Sequence, residues 1–231
     1  MSAFPSSDFA ASGLGLHDRL RHDIIFGVLA PGRKLRLERL RDDYNVSVTS
    51  LREVLARLVA EGLIAFEAQK GFEVAPISAE DLREISEMRI LLECHAVIQS
   101  FAAGDLEWEA QVVGAHHKLA RMEARMLAGD TDATEAWKRY DREFHVALIS
   151  ACGSPELLAA HQRIFDRFLR YQLLLVMFRG AVAAKEHHDL LAAALNRDVA
   201  TAQAILTQHI EACLAFTTAQ ALFAPAEEGG K

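Results

Sequence analysis

Across residues 79–222 apolar residues recur at helical spacing in one segment after another, and no stretch shows the two-residue alternation of a half-buried strand. The segments run over about 79–103, 106–128, 131–152, 155–178, 181–195 and 199–222. They are separated by Gly104-Asp105, Gly129-Asp130, Gly153-Ser154-Pro155, Gly180 and Asn196-Arg197-Asp198. Helices of this length joined by such short breaks fold back on one another, so the pattern predicts an antiparallel bundle. Composition agrees: alanine and leucine abound, only 7% of residues are aromatic and five are proline, which disfavours a sandwich or barrel.

The first third reads differently. Leu16, Leu20, Ile24, Ile25 and Val28 predict a helix that Pro31-Gly32 stops. A short helix over 37–44 follows, with Leu37, Leu40 and Tyr44 inward. Asn45-Val46-Ser47 makes a tight turn, Ser47 is a good N-cap, and a third helix over 48–61 buries Leu51, Val54, Leu55 and Leu58 before Gly62 ends it. Residues 63–68 and 72–75 are β-type runs around Gln69-Lys70-Gly71, a hairpin. Two helices joined by a tight turn and followed by a hairpin make a winged helix-turn-helix. The expected organisation is a mobile arm (1–15), a winged helix-turn-helix domain (16–78), an all-helical domain (79–223) and a short tail (224–231), a mainly α chain of two modest domains in 231 residues.

Several classes fall away. The longest apolar run, Leu173 to Phe178, is far short of the roughly 20 residues a membrane span needs. The first fifteen residues have neither the basic charge nor the apolar core of a secretory signal. Cys94, Cys152 and Cys213 are odd in number and form no CxxC, which points to neither a disulfide framework nor a thiolate zinc site. A cytoplasmic location is the expectation.

Net charge is −7, which taken alone argues against nucleic acid. The charge is unevenly spread, however: residues 16–77 carry ten Lys/Arg against nine Asp/Glu. A near-neutral domain binds DNA when its cations share a face. The candidates are Arg33, Lys34, Arg36, Arg39 and Arg41, followed by Arg52, Arg57 and Lys70; a plain solvated face is the alternative. At the start of a recognition helix, Ser47, Thr49, Ser50 and Arg52 would face the bases. Lys70 and Gly71 would bring a cation and an unhindered backbone to a groove at the wing tip.

In the helical domain Asp141 and His145 stand four residues apart, on one face of one helix, next to the apolar Phe144 and Val146. His187 opens a later helix and His209 lies within the last. Four inward N/O ligands from three helices would suit a divalent metal: zinc, nickel, copper, iron or manganese, with zinc and nickel foremost. The alternative is a core histidine bonded to a carboxylate. His116, His117, His161 and His188 are most simply surface or packing residues.

Residues 16–77 resemble the N-terminal domain of the GntR family of bacterial transcriptional regulators, through PGRKL, NVSVTSLREVLARLVAEGLI and QKGFEV. Residues 79–223 resemble the helical effector (FCD) domain of that family's FadR-type branch, through MRILLE, YDREFHVALISACGSPEL and EHHDLLAAALNRDVATAQAILTQHI. The resemblance implies that Asp141, His145, His187 and His209 are metal ligands and that Arg89 faces an effector cavity; an i,i+4 surface pair with Glu93 is the other reading of Arg89. It also implies a homodimer on a pseudo-palindromic double-stranded operator, repression by default, and a small carboxylate effector near the metal. Three positions depart from the pattern. Val48 replaces the usual arginine and Ser50 the usual proline, so a non-standard operator half-site, or weaker binding, is expected, and Ser154 replaces the usual asparagine as a variant helix break. Two other functions stay open at this level. One is a metal-dependent, hydrolase-like enzyme in the bundle, against which stands the lack of a well-placed general base. The other is a structural or adaptor dimer that has lost DNA binding.

Overall fold

A computed structural model describes residues 15–174 and 178–219. The expected arm and tail, and the ends of two expected helices at 175–177 and 220–222, lie outside the described residues. The chain divides into two compact units, residues 1–78 and 79–231.

The first unit has α1 (Leu16–Ile25), β1 (Lys34–Leu35), α2 (Leu37–Tyr44), α3 (Val48–Ala60), β2 (Ile64–Glu67) and β3 (Gly71–Val74). α1 stops at Ile25 and does not reach Val28: Gly27 turns left-handed at φ 75°, and Val28 is left 42% exposed. Asn45, left-handed at φ 53°, ends α2. Leu20, Ile24, Leu40, Leu51, Leu55, Leu58 and Val74 form the core, while Val54 is only half-buried. Tyr44 hydrogen-bonds Asp23 and ties α2 to α1. Strand β1 has no counterpart in the sequence reading. It pairs antiparallel with β3, giving a three-stranded sheet in the order β1-β3-β2 with Leu35 opposite Phe72 and Phe66 opposite Phe72 on the other side.

The second unit is helical throughout its described residues: α4 (Ala79–Ala103), α5 (Leu106–Leu127), a 3₁₀ turn (Thr131–Ala133), α6 (Thr134–Ile149), α7 (Pro155–Leu174), α8 (Ala181–Leu195) and α9 (Val199–Ala219). The expected helix over 131–152 is thus a 3₁₀ turn plus a shorter α-helix. α4 packs on α6, α7 and α9, and α5 packs on α6 and α8. Val97, Phe101, Val112, Leu119, Trp137, Phe144, Leu148, Leu190 and Leu206 belong to one continuous core. Asp105 caps α5 by accepting from the Trp108 amide at 2.9 Å, and the Trp108 indole donates to the Ala147 carbonyl at 2.9 Å. This fixes α5 against α6, which carries two of the residues of interest. Among the described residues no helix is long and apolar enough to cross a membrane.

Candidate functional site

In the first unit α3 begins where the sequence places it. Ser47 is extended (φ −76°, ψ 152°) and its Oγ accepts from the Ser50 amide at 3.1 Å, a standard N-cap. Leu51, Leu55 and Leu58 turn one face of α3 inward, which leaves Thr49, Ser50, Arg52, Glu53, Ala56 and Arg57 exposed. The Ser47 and Ser50 hydroxyls lie 2.9 Å apart and are bonded to each other, so of Ser47, Thr49, Ser50 and Arg52 it is Thr49 and Arg52 that face outward without such a tie. Arg52 makes no hydrogen bond or ion pair among the described residues. Arg33, Lys34, Arg36 and Arg39 line one groove with Glu38, and Arg39 is held only loosely by Asp43, 3.6 Å away. Arg41 is engaged by its neighbour Asp42 at 2.8 Å. At the wing tip Lys70 pairs with Glu67 at 2.8 Å, and Gly71 sits at φ 80° with open space where a Cβ would be. Val48 occupies the first turn of α3 and is partly buried.

In the second unit Asp141, His145, His187 and His209 meet. Each is at most 3% exposed, and each offers a ligand atom within 4.8 Å of the others'. α6 supplies the first pair, α8 His187 and α9 His209. His188 is exposed, so the register that selects His187 is the one the helix adopts.

What makes these rings potential ligands is the way their other nitrogens are used. His145 Nδ1 donates to Glu93 Oε2 at 2.7 Å, His187 Nδ1 to Glu123 Oε1 at 2.6 Å, and His209 Nδ1 to Glu186 Oε2 at 2.7 Å. A hydrogen on Nδ1 puts the lone pair of a neutral imidazole on Nε2. His145 Nε2, His187 Nε2 and Asp141 Oδ2 are buried without a hydrogen-bond partner. Leaving three buried polar atoms unpartnered at one spot is costly unless something else binds them. One carboxylate oxygen and three imidazole nitrogens, each imidazole backed by its own glutamate, fit a divalent transition metal such as zinc or nickel.

The glutamates are themselves held. Glu93, 1% exposed, accepts from Arg89 Nε at 2.8 Å and from His161 Nε2 at 3.0 Å besides His145. Arg89 is sandwiched near Phe165 and Phe168, its guanidinium carbon 4.2 and 4.4 Å from their ring centroids. It is therefore an i,i+4 partner of Glu93, but a buried one and not a surface pair. Its 3.4 Å approach to His145 Nδ1 is a contact only, because that nitrogen carries the hydrogen given to Glu93. Arg179 grips both oxygens of Glu186, at 3.2 and 2.5 Å.

Electrostatics follow from this wiring. Burial would raise Glu93 and Asp141, but the cationic neighbours, Arg89 for one and Lys138 for the other, together with the histidines, hold both well below the usual carboxylate range. Glu186 is likewise drawn down to about 2 against the effect of burial, by hydrogen bonds from His209 and Arg179. Burial lowers His145 and pushes His209 down to about 3, so both rings are neutral. His187 differs: burial opposes its protonation, but Asp141 and Glu123 prevail and lift it to about 9. Its Nε2 lies 3.3 Å from Asp141 Oδ1 without hydrogen-bond alignment. At neutral pH His187 therefore carries a second proton held by Asp141 and Glu123, which a metal ion at its Nε2 would have to displace.

Sequence reasoning missed Glu93 as an orienting group, together with Glu123, Glu186, Lys138 and Arg179. It also assigned His161 to the surface or to packing; the structure buries it at 1% exposure against Glu93.

A winged helix-turn-helix followed by an all-helical domain is the architecture of a two-domain DNA-binding regulator. Comparison with known proteins makes the class specific. Residues 14–74 match the family model for bacterial regulatory proteins of the gntR family, and residues 84–212 match the FCD domain. The chain belongs to the GntR family of transcriptional regulators and carries its FCD domain. It is 38% identical to the uncharacterized HTH-type transcriptional regulator BphR of Paraburkholderia xenovorans, over 85% of this chain and 81% of that one. It is 36% identical to the HTH-type transcriptional repressor GlaR of Escherichia coli, over 83% and 89%. In fold it resembles E. coli McbR/YncC, with a TM-score of 0.73 at 23% identity over 89% of this chain and 96% of that one. These relatives are regulators, and the hydrolase alternative finds no support among them.

The His–Glu pairs generate a prediction. Glu123→Gln keeps the shape but removes the charge that orients His187. It should weaken divalent-metal affinity on the order of 10-fold, the low end of the losses of roughly 10–100-fold seen when such partners are removed. Chelator-competition titration measures this, and an affinity equal to wild type would contradict the orienting role.

Proposed function

We propose that the protein is a metal-dependent, metabolite-responsive repressor. It binds a pseudo-palindromic operator as a homodimer and changes operator affinity when a small carboxylate enters the helical domain. The observation that carries this reading is the convergence of four buried ligand atoms, the Nδ1 hydrogens of the three imidazoles already committed to glutamates, in a chain whose other unit has a winged helix-turn-helix.

On the DNA side Thr49 and Arg52 meet base edges or phosphates from the first turn of α3, while Arg36, Arg39 and Lys70 neutralise backbone phosphates. To do so Lys70 exchanges Glu67 for a phosphate oxygen. Val48 offers only an apolar contact, such as a thymine methyl, which supports a half-site different from that read by an arginine. On the effector side Asp141, His145, His187 and His209 would hold the ion. A bound divalent ion supplies a Lewis-acidic docking point for a carboxylate. The chain's own residues do the rest: Glu93, Glu123 and Glu186 fix the three rings, and the surrounding helices exclude water.

Met88, Leu91 and Ile98 form an apolar stripe on α4 and are 40, 61 and 45% exposed, which supports a dimer contact along that helix. A two-fold pair presents two recognition helices to two half-sites. Repression is the sign carried by the relatives GlaR and RspR, both named as repressors in E. coli. The effector acts only through its differential affinity for DNA-competent and incompetent states; a 100-fold change in operator binding needs about 2.7 kcal/mol of it.

The reading is tested with duplexes selected by the wild-type protein from a random-sequence pool. Arg52→Ala should lose roughly 10–100-fold in affinity for the selected duplex while keeping its fold and its weak, salt-sensitive general binding. Equal affinity would remove Arg52 from the interface. Leu91→Glu should shift the protein to monomer in sedimentation; a dimer as stable as wild type would move the contact elsewhere.

A further inference from the structure

Among the described residues, one buried cation beside the candidate ligands has no acceptor within hydrogen-bond reach. Lys138 stands on α6 one turn before Asp141 and is 1% exposed. Its ammonium lies 3.9 Å from Asp141 Oδ2, beyond hydrogen-bond reach, and 3.5 Å from the centroid of the Trp137 ring. Among the described residues it has no other partner, so none of its three N–H donors meets an oxygen. Burying an ammonium this way is costly unless an anion joins it. Two more donors nearby are in the same condition. The Trp137 indole Nε1, on the ring under the ammonium, and Arg179 Nε are both buried and unpartnered.

The other two cations of this interior are committed. Arg89 is bonded to Glu93 and enclosed by two phenyl rings, and Arg179 holds both oxygens of Glu186. The charge count points the same way. Arg89, Lys138 and Arg179 face Glu93, Glu123, Glu186 and Asp141, which is three cations against four carboxylates. With neutral imidazoles, a divalent ion turns one excess negative charge into one excess positive charge. The interior then has the charge, and Lys138 the donors, for a single carboxylate.

We infer that Lys138 is the anion anchor of the effector site: a ligand carboxylate seats between its ammonium and the ion held by Asp141, His145, His187 and His209. The role first expected of Arg89 falls instead to the residue one turn before Asp141, while Arg89 serves Glu93. The inference rests on the metal reading above and adds to it the residue that recognises the ligand's charge.

Full-length protein loaded with cobalt(II) separates the two claims, because the visible spectrum of cobalt reports both uptake and any new ligand. The probe is acetate, which carries only the group in question. Wild type should take up cobalt and change its spectrum on titration with acetate. Lys138→Met should bind the same amount of cobalt but need at least about 10-fold more acetate, as expected when a charge-assisted hydrogen bond is lost. Lys138→Arg should restore most of the response, and Lys138→Gln is titrated alongside in case the methionine variant does not fold. If cobalt uptake is normal and the variants respond to acetate like wild type, Lys138 is not the anchor. If wild type takes up no cobalt, the metal reading fails, and this inference with it.

Discussion

Three histidines in the middle of a helical bundle can act together on a ligand only if something else takes their Nδ1 hydrogens. Here three glutamates do so, one per ring: Glu93 for His145, Glu123 for His187 and Glu186 for His209. Much of the second unit is arranged around keeping those carboxylates dry and charged. Arg89 and His161 stabilise Glu93, Arg179 stabilises Glu186, and Phe165 and Phe168 enclose the Arg89 guanidinium. Such a network is expensive in an apolar core unless every member is satisfied. Three of the atoms left unsatisfied, His145 Nε2, His187 Nε2 and Asp141 Oδ2, belong to the candidate ligands and converge on one point, while Arg179 Nε and Trp137 Nε1 lie near them. That convergence is what a binding centre has and an ordinary buried ion-pair network lacks.

The two units solve different problems with similar local chemistry. In the first, the apolar face of α3 is buried by Leu51, Leu55 and Leu58, which turns Thr49 and Arg52 toward solvent; Ser47 spends its hydroxyl on the cap and on Ser50. In the second, the same helical periodicity is inverted in purpose, since α6 buries Asp141 and His145 together with Phe144 and Leu148. The chain passes from the wing to the helical FCD unit in a few residues, from Val74 at the end of β3 to Ala79 at the start of α4. α4 then carries Arg89 and Glu93. The element next in sequence to the DNA-reading unit thus bears part of the shell around the candidate centre.

How much of this could be read from the sequence depended on whether the signal was local. Helices α2 and α8 were legible to the residue because breaking residues bound them: Asn45 closes α2, and Gly180 and Asn196 flank α8. Strand β1 was not, since two residues carry no periodicity and their pairing partner in β3 lies about 40 residues away. The Asp141/His145 pair was visible as an i,i+4 motif, whereas His187 and His209 were candidates that only the family resemblance singled out from the other histidines. The role of the glutamates in orienting the rings gave no local signal, although Glu93 was visible as an i,i+4 partner of Arg89. Glu123 is 64 residues from His187 and Glu93 is 52 from His145, so nothing in local spacing links them. His161 was dismissed because one histidine among ten has no distinguishing neighbour in sequence; only tertiary packing places it on Glu93. Lys138 escaped for a related reason: a lysine near an aspartate reads as a surface pair until its burial is known.

The account stands or falls on the centre formed by Asp141, His145, His187 and His209. The most direct measurement is metal content by elemental mass spectrometry on protein purified without a histidine tag and dialysed against zinc or nickel, beside His187→Ala treated identically. About one equivalent per chain in wild type, lost in the variant together with the metal-dependent rise in melting temperature, is the predicted result. No uptake by wild type, or equal uptake by the variant, would contradict it. The four residues would then be a polar core network, and the proposed metal-linked control of operator binding would fall with it.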